Sequence, residues 1–192
     1  EFRRVLFRSY DRFLKEKGFD KAFPTVDDLT RSMGNVSFYY QGRIIENIRI
    51  SNTVDAYAVN GWESMKLENH SGIVDNYRFP KGDPEVMARY NAPLYLAVKM
   101  NRKVVSTGDT TLVDTYIVNE KNLKGSYILN LVAKDESGNV VASHKERVTV
   151  KGGNDYGQCL QSGWAFIPKS KGYTRIEASL LKGKTELVKG DD

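Results

Sequence analysis

Cys159 is the only cysteine among 192 residues, so an internal disulfide is impossible and the fold must rest on packing. Histidine is almost as scarce. His70 and His144 cannot by themselves build a metal centre rich in His and Cys, which leaves carboxylate and carbonyl sites for calcium open. No apolar run approaches the ~20 residues that cross a bilayer as a helix. Charge of one sign is missing as well. The 29 basic and 24 acidic residues are interspersed with no basic block, which argues against nucleic acid and against insertion into a membrane. Neither an internal repeat nor a low-complexity tract is present.

Residues 1–9, Glu-Phe-Arg-Arg-Val-Leu-Phe-Arg-Ser, resemble the translation of a short-read sequencing adapter and are set aside as an artefact. Without Arg3, Arg4, Arg8 and Glu1 the balance is 26 basic to 23 acidic residues, and the net charge falls from +5 to +3. A chain that opens in adapter is expected to be a piece of a larger protein. Its true N-terminus and any signal region would then lie upstream of Tyr10.

The remainder changes period near residue 92, and a change of period indicates two cores. Residues 10–91 read as helices around one short strand. Tyr10, Phe13 and Leu14 form a short apolar face that Gly18 terminates in the left-handed conformation. Thr25 and Asp28 make a capping box for a turn through Leu29 and Met33, with Gly34 as its stop. A long helix follows over roughly 36–50. Its Tyr40, Ile44 and Ile48 stripe is expected in the core, and Arg43, Glu46 and Arg49 on the wetter sides. Val54 to Val59 reads as a buried strand ending in a functional loop at Asn60-Gly61-Trp62-Glu63. Asp83 as N-cap with Pro84 and Glu85 behind it starts another helix through Val86, Met87 and Tyr90.

Residues 92–192 read as short alternating strands. Val113, Thr115 and Ile117 alternate with Asp114 and Tyr116, while Tyr127, Leu129, Leu131 and Ala133 line one face of the next strand. Ser137-Gly138-Asn139 turns into 140–150, and further strands cover 164–167 and 174–181 and continue through Leu187. This spacing indicates an antiparallel sandwich of immunoglobulin type.

Three stretches carry a resemblance: Tyr-Tyr-Gln-Gly-Arg-Ile-Ile-Glu-Asn-Ile-Arg at 39–49, Asn-Gly-Trp-Glu at 60–63, and Glu-Asn-His-Ser-Gly-Ile-Val-Asp at 68–75. They resemble the end of the catalytic barrel of glycoside hydrolase family 2, the family of β-galactosidases, β-mannosidases and β-glucuronidases. Pro93 to Lys99 resembles the crossing into the sandwich that follows the barrel. The implied fold class is α/β plus all-β: a partial (β/α)8 barrel, its last strand with flanking helices, then an antiparallel immunoglobulin-like β-sandwich. On this resemblance 54–59 is the eighth barrel strand, with Ala56 where relatives are expected to carry Gly, and Asn60 to Glu63 stand at the barrel mouth, where such folds place their chemistry.

The resemblance implies a retaining exo-β-glycosidase acting on oligo- or polysaccharides. Such an enzyme needs two carboxyl groups about 5–5.5 Å apart. The family supplies them from barrel strands four and seven, which would precede Tyr10, so no catalytic residue is assigned here and the chain alone is expected to be inactive. Asp27 and Asp28 begin a helix and Asp135 and Glu136 sit at a turn, so neither pair can substitute. What remains is substrate binding. Trp62 would offer a flat apolar face to a sugar ring, Asn60 and Glu63 would hydrogen-bond its hydroxyls, and Asn69 and His70 would reach the substrate or a partner carboxylate. The competing reading has Trp62 as packing, Glu63 paired with an arginine and His70 as structural. Arg43 and Arg49 are expected to form salt bridges within the helix layer, with Glu46 as a candidate partner, and Cys159 is read as a small packed residue.

No cofactor and no metal is implied. The partner is a carbohydrate substrate, with a homo-oligomer open through the parent protein, and the implied location is periplasmic or secreted. A non-catalytic alternative makes the sandwich a carbohydrate-binding or structural module. It would need its own aromatic platform, for which Trp164 with Tyr156 or Tyr173 are the candidates.

Overall fold

A computed structural model describes residues 2–59, 61–62, 72–75 and 77–192, with the side chains of the first helix described from Ser9 onward. The chain forms two compact units: Glu1–Ile44 with Tyr57–Tyr90, and Ile45–Ala56 with Asn91–Asp192.

The first unit is helical. Helix α1 spans Phe2–Glu16, and Gly18 follows in the left-handed conformation (φ 70°) before a 3-10 turn over Phe19–Lys21. Only Leu14 of the anticipated apolar face is buried, while Tyr10 and Phe13 are exposed. Thr25 and Asp28 form the capping box: the Asp28 N–H donates to Thr25 Oγ1 (3.1 Å), and the Thr25 N–H and hydroxyl donate to Asp28 Oδ2 (3.1 and 2.7 Å). The helix they open does not stop at Gly34. Helix α2 runs unbroken over Val26–Ser51.

Gly34 is needed for another reason. A Cβ at that position would lie 1.8 Å from the Lys81 carbonyl oxygen, and one at Gly42 would lie 2.0 Å from the Tyr90 ring. Both glycines let other chain segments rest directly on the helix backbone. Helix α3, Pro84–Tyr90, is capped as anticipated, with the Glu85 N–H donating to Asp83 Oδ1 (3.0 Å).

The buried face of α2 differs from the expected stripe. Tyr40 and Ile44 are exposed, Ile48 is half-buried, and the buried side chains over 36–50 are those of Phe38, Ile45, Glu46 and Arg49. The stripe is therefore rotated by about one residue, roughly 100° on a helix. Glu46 and Arg49 are inside because they belong to the second unit and each has polar partners within it, which hydrophobic periodicity alone does not reveal.

The anticipated strand over 54–59 does not form. These residues are irregular and exposed, Val54, Tyr57 and Val59 included. A barrel strand exchanges hydrogen bonds with a neighbour on each side, and no described strand of this chain lies beside it. Among the described residues no barrel strand is formed, although the helices expected on either side of it are present.

The second unit is an antiparallel β-sandwich. Strands β1 (Leu94–Met100), β2 (Thr111–Asn119) and β5 (Gly157–Phe166) form one sheet in the order β1-β2-β5. Strands β4 (Val140–Val150), β3 (Gly125–Asp135), β6 (Thr174–Lys182) and β7 (Thr185–Asp191) form the other in the order β4-β3-β6-β7. Between them lie Leu96, Val98, Val113 and Ile117 from the first sheet and Leu129, Leu131, Ile176 and Leu180 from the second, all fully buried. Alternation holds as read from sequence: Val148 and Val150 point inward, Arg147 and Thr149 outward.

The last turns of α2 belong to this sandwich. Glu46, with no exposed surface, accepts the Tyr95 hydroxyl (2.7 Å) and the Lys99 ammonium (3.3 Å). Arg49 donates to Glu120 Oε1 (2.8 Å) and the Ala92 carbonyl (2.7 Å), so its salt bridge leaves the helix layer for the end of β2. Asn52, in the left-handed region (φ 56°), grips Gly157 from both sides, donating to its carbonyl (2.6 Å) and accepting its N–H (2.7 Å).

Candidate functional site

Trp62 sits at the base of a hairpin that the sequence reading did not foresee. Its carbonyl accepts the N–H groups of both Ile73 (3.0 Å) and Val74 (3.1 Å). Val74 pairs with Pro80, and the Lys81 N–H donates to the Ile73 carbonyl (3.0 Å). The tip is closed by Asp75. Its Oδ1 accepts the N–H of Tyr77 (2.8 Å) and of Phe79 (2.9 Å), its own N–H donates to the Phe79 carbonyl, and its carbonyl accepts the Arg78 N–H, both at 2.9 Å. The hairpin is fastened to α2 where Asn35 Oδ1 accepts the Asp83 N–H (2.6 Å), beside the close approach at Gly34.

This framework holds three large aromatic residues in the open: Trp62 at 64% exposure, Tyr77 at 57% and Phe79 at 68%. Arg78, also exposed, stands between the last two with φ 66°, a left-handed conformation unusual for a residue with a side chain. Partial burial lowers the Lys81 ammonium below its usual range. Two described acids are already engaged, Asp75 by the tip and Asp83 by the start of α3. The surface can therefore offer flat apolar faces and positive charge to a ligand, and among the described residues it holds no pair of free carboxylates for acid-base work.

Of the sequence-derived site residues, Trp62 is placed and exposed. Asn60, Glu63, Asn69 and His70 lie outside the described residues. Tyr77, Arg78 and Phe79 were missed. The Asp75-Asn76 dipeptide after an apolar pair was the available signal, because Asp and Asn favour turns.

The remaining polar groups fall on the sandwich. Cys159 is exposed rather than packed, since its side chain lies on the outer face of an edge strand beside Tyr116. Partial burial and then the Asp114 carboxylate push its thiol pKa up, which disfavours the nucleophilic thiolate. His144 stacks on Trp164 (ring centroids 6.1 Å apart) and lies 3.4 Å from Glu146. Trp164 is itself half-buried against the core and is not an open platform, whereas Tyr156 and Tyr173 are exposed. Among the described residues no group of three or more His, Cys, Asp or Glu is placed to hold a metal ion, and no helix is long and apolar enough to cross a membrane.

No family model and no curated protein matches the chain. Solved structures similar to it include a family 2 glycosyl hydrolase of Bacteroides cellulosilyticus DSM 14838, 16% identical, with a TM-score of 0.41 over 52% of this chain and 15% of that one. A beta-glucuronidase of Bacteroides uniformis is 16% identical, with a TM-score of 0.39 over 50% of this chain and 12% of its own. A putative beta-galactosidase of Bacteroides fragilis is 10% identical, with a TM-score of 0.40 over 50% and 15%. The chain thus spans no more than about a seventh of each of these proteins, and similarity at this level defines neither activity nor substrate.

Proposed function

We propose that this chain is part of a retaining exo-β-glycosidase of the glycoside hydrolase family 2 type, in which it contributes substrate-binding surface and the β-sandwich while the two catalytic carboxylates are supplied by other sequence. The observation that carries the reading is Trp62: an exposed indole whose carbonyl accepts the Ile73 and Val74 N–H groups, within the stretch of sequence that resembles this family, ahead of an antiparallel sandwich. An indole face suits the C–H face of a sugar ring. The reading rests on that site and those motifs, not on a barrel strand at 54–59. It carries with it a β-linked oligo- or polysaccharide substrate, a periplasmic or secreted location, and a homo-oligomer formed through the parent protein.

Two measurements test it. The purified chain should not turn over aryl β-glycosides, and turnover at enzymatic rates would contradict the assignment of the acids. In glycan titrations Trp62→Ala should weaken binding and Trp164→Ala should not. The reverse pattern would favour the alternative, a carbohydrate-binding sandwich, against which the half-buried, stacked position of Trp164 already argues.

A further inference from the structure

The hairpin tip at Asp75 has a twin in the same molecule. At the β3–β4 turn Asp135 Oδ1 accepts the N–H of Ser137 (2.9 Å) and Asn139 (2.8 Å), its N–H donates to the Asn139 carbonyl (3.0 Å), and its carbonyl accepts the Gly138 N–H (2.9 Å). Every one of these bonds has its counterpart at Asp75, from Tyr77, Phe79 and Arg78. The fourth residue of each turn is left-handed, Gly138 at φ 82° and Arg78 at φ 66°. Glycine adopts that conformation freely, whereas a side chain adds a conformational cost. The turn at 135–139 shows that the geometry is complete with glycine, so the arginine at 78 is not there to make the turn.

The arginine is also uncommitted. No hydrogen bond or ion pair engages the Arg78 guanidinium among the described residues, and the carboxylate of Asp75, three residues before it, is turned onto the Tyr77 and Phe79 amides. An exposed guanidinium flanked by Tyr77 and Phe79, with Trp62 anchored at the hairpin base, combines a fork that fits planar or tetrahedral oxyanions with apolar faces that fit sugar rings.

We infer that this hairpin recognises a saccharide carrying an anionic substituent, carboxylate or sulfate, with Arg78 on the anion and the aromatic residues on the sugar. The inference rests on the saccharide-binding reading above and narrows its ligand.

The test uses the whole chain and three probes: a β-1,4-linked glucose trisaccharide, the same trisaccharide oxidised to the uronate at C6 of its terminal ring, and the same trisaccharide sulfated at that position. At low ionic strength at least one anionic form should bind about tenfold more tightly than the neutral one, the scale of a charge-assisted hydrogen bond, and salt should shrink the preference. Which anion is preferred identifies the substituent. Arg78→Gly should abolish the preference and raise the melting temperature, while Trp62→Ala should weaken all three. Equal binding of the three probes, or a preference that survives Arg78→Gly, overturns the role of Arg78 and leaves the saccharide reading standing. Failure of all three to bind at millimolar concentration overturns both.

Discussion

Replacing Glu46 with alanine should destabilise the sandwich by about 2–4 kcal/mol. The carboxylate has no exposed surface and accepts hydrogen bonds from Tyr95 and Lys99. Removing it leaves the Tyr95 hydroxyl, on a residue only 2% exposed, without this acceptor, at a cost of about 1–3 kcal/mol. The deleted side-chain atoms leave a void that adds roughly 1 kcal/mol or more. The ion pair contributes less than a fully buried one, because the Lys99 side chain keeps 26% of its surface and regains water when its partner is lost. The total therefore falls toward the lower end of the range for breaking a buried pair. Urea unfolding followed through Trp164 in a Trp62→Phe background measures it, and a cycle with Tyr95→Phe isolates the hydroxyl contact. A loss under about 0.5 kcal/mol, or additive effects of the two substitutions, would refute the buried-anchor account.

At Gly157 a Cβ would meet the backbone of Ile50 at 2.6 Å, so Gly157→Ala should cost about 2 kcal/mol by the same unfolding assay, with near-neutral behaviour counting against the helix contact. Hydrogen bonds from the Asn139 side chain and backbone, then from Ser137 and Gly138, hold the Asp135 carboxyl below its usual range. A carboxyl depressed in the folded state contributes stability above its unfolded pKa and loses it as pH falls through the folded value. Hydrogen exchange at the Ser137 and Asn139 amides should therefore accelerate only below about pH 4, and Asp135→Asn should remove that dependence. Cys159, though exposed, should alkylate with iodoacetamide more slowly at pH 8 than a free cysteine, and Asp114→Asn should speed it, because that carboxylate is one of the groups raising the thiol.

The sandwich was largely legible in the sequence because its strands obey a period of two over a single shared core. Leu129, Leu131 and Ala133 are all buried and alternate with the half-buried Ile128, Asn130 and Val132, and Ser137-Gly138-Asn139 turns where Asp135 can collect its amides. Capping was legible for a similar reason: Thr25 with Asp28, and Asp83 with Pro84, are local chemistry. The errors lie where distant residues decide. Glu46 and Arg49 read as solvent-facing because their partners, Tyr95 and Glu120, are some 50 and 70 residues away. Gly34 read as a helix stop because nothing local announces the Lys81 carbonyl above it. Residues 54–59 have the composition of a strand, but composition supplies no neighbour to pair with.

Of the candidate site, one described residue was singled out in the sequence. Trp62 stood out through the Asn-Gly-Trp-Glu motif that resembles glycoside hydrolase family 2, whereas Arg78 gained meaning only beside Gly138, a comparison that requires backbone angles.

The claim of the β-sandwich on the tail of α2 decides where a knife may fall. A boundary drawn at the change of period near residue 92 discards the carboxylate under Tyr95, the guanidinium beside Glu120 and the amide that clasps Gly157. An excised module starting at Pro93 would thus present a raw, partly apolar scar along β1 and β5, while one starting shortly before Ile45 keeps its own lid. In this molecule the sandwich begins, physically, some fifty residues before its first strand does.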